Sequence, residues 1–154
     1  MLQRLSRLSL HKEEQMSILN TAFLKAIERL DTFDATKDFK VWLGVIVKNE
    51  FIDQYRKKQA HTKHFNDVVP SFEDTTDLGA DMLIQEADTQ KLLFQFIDAL
   101  PDTTRVVFNL YVLEEMTREE IAESLEMNYD AVKWHVLKAR KLIAEQIKMT
   151  RHEK

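Results

Sequence analysis

The fold of this chain is decided by residues 117 to 142, TREEIAESLEMNYDAVKWHVLKARKL, which predict two helices that meet at a sharp bend. Thr117, followed three residues later by Glu120, forms the pattern of a capping box. In this motif the hydroxyl accepts a hydrogen bond from a first-turn amide, and the carboxylate accepts one from the amide of the capping residue. A helix is therefore predicted to begin directly after Thr117. Its apolar pattern breaks after Leu125, and Asn128 can cap a second helix.

The second predicted helix is longer, and its apolar positions recur at three to four residues. The predicted buried positions are Val132, Val136 or Leu137, Ala139 and Ile143. The predicted outward positions are mostly basic or aromatic: Lys133, Trp134, His135, Lys138 and Lys141. A short helix, a tight turn and a basic second helix form a helix-turn-helix, whose second helix can lie in the major groove of DNA. The alternative is a pair of neighbouring helices in an ordinary bundle, since basic residues late in a helix favour its dipole.

Composition narrows the class of protein. The chain has 154 residues with only two glycines and two prolines, which argues against a turn-rich all-β fold. It has no cysteine, so neither a disulfide framework nor a thiolate metal site can form. Because no apolar run reaches the roughly eighteen residues of a membrane span, we expect a cytoplasmic protein without membrane insertion. No glycine-rich phosphate loop, metal triad or nucleophile with its base is apparent, so we expect neither an enzyme nor a cofactor.

Charge is distributed unevenly along the chain. The net charge is -4, which by itself argues weakly against a nucleic-acid partner. Residues 1 to 64 carry 12 basic and 8 acidic side chains, residues 65 to 126 carry 3 and 15, and residues 127 to 154 carry 7 and 3. Two basic segments therefore flank an acidic middle. This arrangement favours two nucleic-acid-binding surfaces, with a solvated acidic face between them in the sequence.

Two helices are predicted in the first half. In residues 12 to 30, the spacing predicts a buried face formed by Met16, Leu19, Phe23, Ile27 and Leu30, with Ala22 and Ala26 alongside. Residues 39 to 58, FKVWLGVIVKNEFIDQYRKK, begin with apolar side chains that nearly encircle the axis, which predicts a core helix packed on several sides. The far end combines positive charge, an aromatic ring and amides. Such a mixture can hold phosphates while planar groups stack on unpaired bases; the alternative is a solvated last turn favoured by the helix dipole.

These patterns predict an all-α protein of two small helical domains joined by an extended linker. Residues 60 to 81 contain a proline, a glycine and many small polar residues without a sustained period, which is typical of a linker. Residues 82 to 99 and 102 to 113 predict two further helices. Together with the helix-turn-helix they form a four-helix domain. The predicted boundaries are residues 1–59 and 82–149 for the domains, 60–81 for the linker and 150–154 for a frayed tail.

Both halves resemble the bacterial sigma factors of the extracytoplasmic-function group within the sigma-70 family. In the first half, AFLKAIERLDTF (residues 22–33) and DFKVWLGVIVKNEFIDQYRKK (residues 38–58) are similar to the second conserved region of that family. In the second half, residues 99 to 143 are similar to its fourth conserved region almost without gaps. The order of the two regions and the length of the linker also match.

The resemblance implies partners and contact residues. The first domain would bind the clamp of core RNA polymerase and recognise the minus-ten promoter element as single strand. The last domain would recognise the minus-thirty-five duplex through the second helix of the helix-turn-helix, and an anti-sigma factor is an expected further partner. The matching positions are Trp42, Lys48, Asn49, Asp53, Arg56 and Lys57 for the minus-ten element; Lys133, Trp134, Leu137, Lys138 and, near phosphate, Arg140 for the minus-thirty-five element; and Ser17, Asn20 and Thr21 for the polymerase.

The chain departs from the family pattern at several of these places. The family usually carries an acidic residue and a Gln-acidic pair where this chain has Ser17, Asn20 and Thr21. Glu126 replaces a common glycine in the turn, which is unfavourable where the backbone φ is positive. Trp134 replaces a usually small residue, and its ring would either contact thymine methyl groups or pack locally.

Three functions are consistent with these patterns. The leading one is a sigma factor that binds core RNA polymerase and directs promoter recognition and opening. A stand-alone helix-turn-helix regulator would need only residues 100 to 147 and would bind duplex DNA without polymerase. A degenerate sigma-like protein would act by binding a partner and would not support transcription.

Overall fold

The computed structural model describes Leu8, residues 11–60 and residues 87–152. Within those residues the chain is helical, as the sequence predicted. The elements in order are α1 (Lys12–Glu28), a 3-10 turn (Leu30–Thr32), α2 (Phe39–Ala60), α3 (Ala87–Asp98), α4 (Asp102–Val112), α5 (Arg118–Leu125) and α6 (Tyr129–His152).

The chain divides into two compact units, Met1–Phe65 and Asn66–Lys154. The described part of the first unit contains α1 and α2, and that of the second contains α3 to α6. The predicted linker lies outside the described residues, apart from Ala60 at the end of α2.

In the first unit α1 packs against α2. The side of α1 that faces inward is formed by Ile18, Leu19, Ala22 and Ala26, of which Ala22 is fully buried. On α2 the buried residues include Leu43, Gly44 and Val47. Residues as small as Ala22 and Gly44 let two helix backbones approach closely, because they place little side-chain volume between them.

The predicted buried face of α1 is wrong in register. Of the five positions predicted, Leu19 alone is buried, whereas Met16, Phe23, Ile27 and Leu30 are between 44% and 71% exposed. The helix packs instead through Ile18 and Leu19 together with Ala22 and Ala26, the two alanines that the sequence placed alongside the predicted row. The buried face is therefore the neighbouring one, and most of the larger apolar side chains of the predicted row stay exposed.

The prediction that α2 is packed on several sides is also wrong. Val41 and Val45 are 64% and 46% exposed, so one face of the apolar segment remains open. The buried face contains Leu43, Ile46, Val47 and Phe51, at the spacing of one side of a helix.

The core of the second unit forms around α6, which packs against α3, α4 and α5. One buried cluster joins α3 and α4 to α6 through Ile97, Leu100, Phe108, Ala139 and Ile143. On α4, Val106, Val107 and Leu110 are all at most 2% exposed. The same helix also buries three polar residues that the sequence did not indicate: Thr104, Arg105 and Asn109.

Helix α4 begins at Asp102, where the sequence predicted it, with Pro101 as its capping residue. The end of the last helix differs from the prediction. The last helix continues through Thr150, Arg151 and His152, where the sequence predicted a frayed tail. The predicted start of α3 at residues 82 to 86 lies outside the described residues.

Candidate nucleic-acid interface

The turn between α5 and α6 has the geometry of a helix-turn-helix. The capping box is confirmed: Glu120 N donates to Thr117 Oγ1 and Thr117 N donates to Glu120 Oε2, both at 3.1 Å. Helix α5 ends at Glu126, which has φ 53° and ψ 42° in the left-handed region. Asn128 then caps α6, because its Oδ1 accepts from Asp130 N at 2.9 Å. The bend is thus held by side-chain hydrogen bonds at the start of each helix.

The buried side of α6 is as predicted. Val132, Val136 and Ala139 are fully buried, and Ile143 is nearly so. Because an α-helix turns about 100° per residue, Trp134, Leu137 and Lys138 lie opposite the buried side, and Lys133 and Arg140 lie on one flank. All of them are partly exposed: Lys133, Trp134, Leu137, Lys138 and Arg140.

Trp134 is the centre of a local cluster on that outer side. The Lys138 ammonium lies 4.6 Å from the centroid of the Trp134 ring, which is a cation–π distance. The ring also meets the His135 ring edge-on at 4.8 Å. Trp134 therefore packs locally, as one of the two sequence alternatives expected, and still keeps part of its surface exposed.

His135 was predicted to lie on the outward side, and this prediction is wrong for its imidazole. The ring Nδ1 lies 2.9 Å from Oγ1 of Thr104 on α4. Burial, together with the nearby charge of Lys138, lowers the pKa of His135 to about 4. The imidazole is therefore neutral at physiological pH and adds no charge to a DNA-binding surface.

Arg140 was expected near phosphate, and in the structure its guanidinium lies 5.8 Å from the centroid of the Tyr111 ring. The Arg118 guanidinium lies 5.7 Å from the same centroid, and it is also hydrogen-bonded to Tyr129 at the start of α6. The Tyr111 ring thus contacts one guanidinium from each helix of the helix-turn-helix, Arg118 from α5 and Arg140 from α6. Arg118 and Tyr111 are residues of this surface that sequence reasoning missed, since they lie in different helices.

In the first unit, the predicted minus-ten residues fall on or beside one row along α2. Trp42, Asn49, Asp53 and Arg56 are separated by seven, four and three residues, so they lie on the same side of the helix. Lys48 and Lys57 lie on either flank of that row. Asn49 is exposed, whereas Trp42 is partly buried between two other rings: Phe33 at 5.1 Å and Phe39 at 5.6 Å. The fold thus brings an aromatic group, an amide and cations onto one side.

Asp53 does not present an isolated negative charge. Its Oδ1 accepts from Arg56 at 2.8 Å, and its Oδ2 lies 4.0 Å from the Lys25 ammonium. It therefore restrains the Arg56 guanidinium, which is itself part of the row. The sequence placed both residues in the interface but did not indicate that they pair.

A buried carboxylate lies behind this row. Glu50 is 5% exposed and accepts hydrogen bonds from Lys25 of α1 and, at 3.0 Å, from Gln54. Burial opposes its ionisation, but the hydrogen bonds from Lys25 and Gln54 and the charges of Lys25 and Lys57 outweigh it and lower the pKa of Glu50. Glu50 is thus ionised and ties α1 to α2.

The predicted polymerase-contact residues lie on the free side of α1. Ser17 and Asn20 are exposed, and Thr21 is partly exposed. Next to them is an exposed apolar surface, most of whose residues the sequence predicted to be buried. We call this the α1 apolar surface; it consists of Met16, Phe23, Leu24, Ile27 and Leu30. Exposed patches of this kind mark binding sites for other proteins.

Two other kinds of site were sought in the described part of the chain. Among residues 11–60 and 87–152, no group of three or more His, Cys, Asp or Glu side chains is arranged to hold a metal ion. None of the helices described above is both long enough and apolar enough to cross a membrane.

Comparison with family models gives two matches. Residues 3–61 match the model described as Sigma-70 region 2, and residues 90–143 match the model described as Sigma-70, region 4. The first match contains α1 and α2 with the row on α2. The second contains the helix-turn-helix. Together the two models cover most of the chain, in the order that the sequence analysis expected.

Two of the similar proteins are ECF RNA polymerase sigma factors. The chain is 29% identical over 143 residues to the ECF RNA polymerase sigma factor SigW of Bacillus subtilis, covering 88% of this chain and 76% of that protein. It is 25% identical over 138 residues to the ECF RNA polymerase sigma-E factor of Escherichia coli K12, covering 84% and 72%.

Among solved structures, the sigma factor RpoE from Bartonella quintana, in complex with the anti-sigma factor NepR, is similar in fold. The TM-score is 0.53 at 21% identity, with 96% of this chain and 89% of that chain covered. Together with the two family models, these matches identify the chain as a member of the sigma-70 family, in the extracytoplasmic-function group of RNA polymerase sigma factors.

Proposed function

We propose that this sigma factor, which directs RNA polymerase in transcription initiation, contacts promoter DNA through two separate surfaces and the polymerase through a third. The observation that carries the proposal is the helix-turn-helix of the second unit, whose α6 presents cations and an indole on the side opposite its buried residues. A stand-alone regulator would need that unit alone. The family matches to both units therefore favour a sigma factor over a regulator.

The minus-thirty-five duplex is assigned to the outer side of α6. An α-helix fits the major groove, where lysine ammonium groups bond guanine and apolar groups contact thymine methyls. Lys133, Trp134, Leu137 and Lys138 are the base-facing residues in this proposal. Arg140, beside Tyr111, serves the sugar-phosphate backbone, which positions a protein without specifying sequence.

The minus-ten element is assigned to the row on α2. Asn49 is exposed and has amide donors and an acceptor suited to a base edge. Lys48, Arg56 and Lys57 supply the positive charge that single strands require, and Trp42 supplies an aromatic face. Asp53 acts through Arg56, which it restrains by an ion pair.

Core RNA polymerase is assigned to α1. Ser17, Asn20 and Thr21 adjoin the α1 apolar surface, so the contact would have an apolar centre and a polar rim, as specific protein interfaces do. Because the acidic residues usual in the family are missing here, apolar burial carries more of this contact. The proposal places the protein in the cytoplasm, where polymerase and promoter meet.

An anti-sigma factor is proposed as a further partner. The similar RpoE structure contains an anti-sigma protein, and the α1 apolar surface offers this chain a large exposed area for such a partner. A partner bound there would compete with the polymerase. Competition between a purified anti-sigma candidate and core polymerase for the labelled chain would test this.

Run-off transcription with core RNA polymerase on a promoter library tests the proposed function. The intact chain should give selective initiation, and Asn49→Ala and Lys133→Ala should each reduce it. Ile27→Glu should reduce polymerase binding itself, because it places a charge in the α1 apolar surface. Glu28→Gln on the same helix is the matched control. Binding to duplex DNA without any selective initiation would instead support a stand-alone regulator, and polymerase binding without transcription would support a degenerate sigma-like protein.

A further inference from the structure

A continuous series of contacts runs from the buried part of α4 to the outer side of α6. Thr104 Oγ1 lies 2.9 Å from His135 Nδ1, the His135 ring meets the Trp134 ring at 4.8 Å, and the Lys138 ammonium lies 4.6 Å from the Trp134 centroid. We call these four residues the Trp134 cluster. Its inner end lies in the core, since Thr104 is only 1% exposed.

The histidine is the link between the fixed and the exposed parts of the cluster. Its imidazole is neutral at physiological pH, so its bond to Thr104 joins two uncharged groups and does not depend on salt. The bond also fixes the orientation of the His135 ring, and the Trp134 ring packs against that ring in an edge-on contact. A change at Thr104 therefore reaches Trp134 without any direct contact.

We infer that Thr104 and His135 are positioning residues that hold Trp134 and Lys138 in one arrangement, and that this pair recognises a thymine next to a guanine in the minus-thirty-five duplex. The inference rests on the proposed function. An indole edge suits the thymine methyl group, and an ammonium donor suits guanine N7 and O6. Because the two groups lie 4.6 Å apart, they suit neighbouring bases, which are about 3.4 Å apart along each strand.

Positioning matters here because an unrestrained lysine and a free indole both lose rotamer freedom on binding. A pair that is already ordered avoids this loss for the matching sequence. It also cannot rearrange to accept a mismatched one, so it discriminates between sequences. Lys133 lies outside the cluster and provides an internal reference.

The experiment uses the full chain with core RNA polymerase and promoters randomised across the minus-thirty-five element, with the transcripts sequenced. Trp134→Ala and Lys138→Ala first identify the base positions that depend on the cluster, and Lys133→Ala identifies those that do not. Thr104→Val removes the hydroxyl with little change of size, and Thr104→Ser keeps it. We expect Thr104→Val to lower the preference at the cluster-dependent positions on the order of fivefold. Preference at the Lys133 positions should be unchanged, and Thr104→Ser should behave as the original chain.

A merely structural role for Thr104 predicts something different, namely an equal loss at all positions together with a lower melting temperature. That result, or unchanged preferences in Thr104→Val, would overturn the inference. If the unsubstituted chain gives no selective initiation, the proposed function itself fails. If it selects promoters whose cluster-dependent positions lack a thymine beside a guanine, only the inferred sequence is wrong and is withdrawn.

Fluorescence supplies a second measurement that does not depend on transcription. The chain has two tryptophans, so in a Trp42→Phe background the emission reports Trp134 alone. Thr104→Val should raise the mobility of that indole, seen as lower anisotropy, and His135→Leu should do the same from the other side of the bond. Thr104→Ser keeps the hydroxyl that lies beside Nδ1 and should give the original value. Unchanged anisotropy in both loss variants contradicts the inference.

Discussion

Glu50 shows how much one side chain decides in the first unit. It sits on the buried side of α2 and is almost fully excluded from solvent, yet it is ionised because Lys25 and Gln54 bond both of its oxygens. Its partner Lys25 also approaches Asp53, which in turn holds Arg56. Glu50, which joins the two helices, is thus also linked through Lys25 and Asp53 to Arg56, a residue of the proposed minus-ten row.

Replacing this carboxylate should destabilise the first unit. Glu50→Gln keeps the shape but loses the charged hydrogen bond, and we expect a cost of about 1–2 kcal/mol at neutral pH. Since the folded-state pKa of Glu50 is lowered, its stabilisation is present above the ordinary value of 4.5 and is lost as the pH falls through the folded-state value. Urea unfolding of both chains from pH 7 to pH 3 should therefore show their difference shrinking in acid. Glu14→Gln, which breaks an exposed pair with Lys58, is the control and should cost under about 0.5 kcal/mol.

His135 has the opposite charge type and titrates in a different range. Its pKa falls from 6.5 to about 4 in the folded chain, so the unfolded chain binds more protons between these values. Stability should therefore decrease as the pH is lowered below about 6.5. We expect a loss of about 2 kcal/mol between pH 7 and pH 5, measured by urea unfolding followed through Trp134 emission in the Trp42→Phe background. A His135→Gln chain that kept the same pH slope would show that another group is responsible.

At the scale of elements, the turn of the helix-turn-helix contains an unfavourable residue. Glu126 ends α5 with positive φ, a conformation that favours glycine because a Cβ there is crowded. Glu115, in the turn before α5, has φ 53° as well. The capping box and the Asn128 cap hold the bend in spite of this cost. A residue other than glycine thus adopts positive φ inside the helix-turn-helix.

The cost of the positive φ at Glu126 can be measured by comparing glycine substitutions at two nearby positions. Glu126→Gly should stabilise the second unit by roughly 0.5 kcal/mol, as relief of the left-handed strain exceeds the added entropy of the unfolded chain. Glu123→Gly, in the helical interior of α5, should instead destabilise it by about 1 kcal/mol. Thermal unfolding of the two variants should therefore shift in opposite directions. Equal shifts would mean that the φ of Glu126 carries no strain.

For the whole molecule, the two proposed DNA-contacting surfaces lie in separate compact units, so their contributions should be separable. In the complex with core polymerase, Asn49→Ala should weaken binding of a single-stranded minus-ten oligonucleotide about tenfold. Lys133→Ala should weaken binding of a minus-thirty-five duplex and lower its salt slope by about one. In the double variant the two free-energy losses should add, because sites that share no partners act additively. An Asn49→Ala chain that lost duplex affinity would contradict this separation.

Much of the fold follows from short-range patterns. The capping box of Thr117 and Glu120, the cap at Asn128 and the buried row from Val132 to Ile143 were all predictable, because each depends on residues within a few turns of one helix. The order of the two family regions is also a property of the sequence. These features determined an all-α chain with a helix-turn-helix, and through it the class of protein.

Tertiary structure alone decided which faces are free and which polar groups pair. The bond from Thr104 to His135 spans 31 positions, and that from Lys25 to Glu50 spans 25, so neither leaves a periodic signal. The same holds for the α1 apolar surface: its side chains have the spacing of a core, but the buried face of α1 is formed by Ile18, Leu19, Ala22 and Ala26 instead. Spacing shows that a helix has an apolar side. The shape of its neighbour determines which side is buried, because close packing depends on both surfaces.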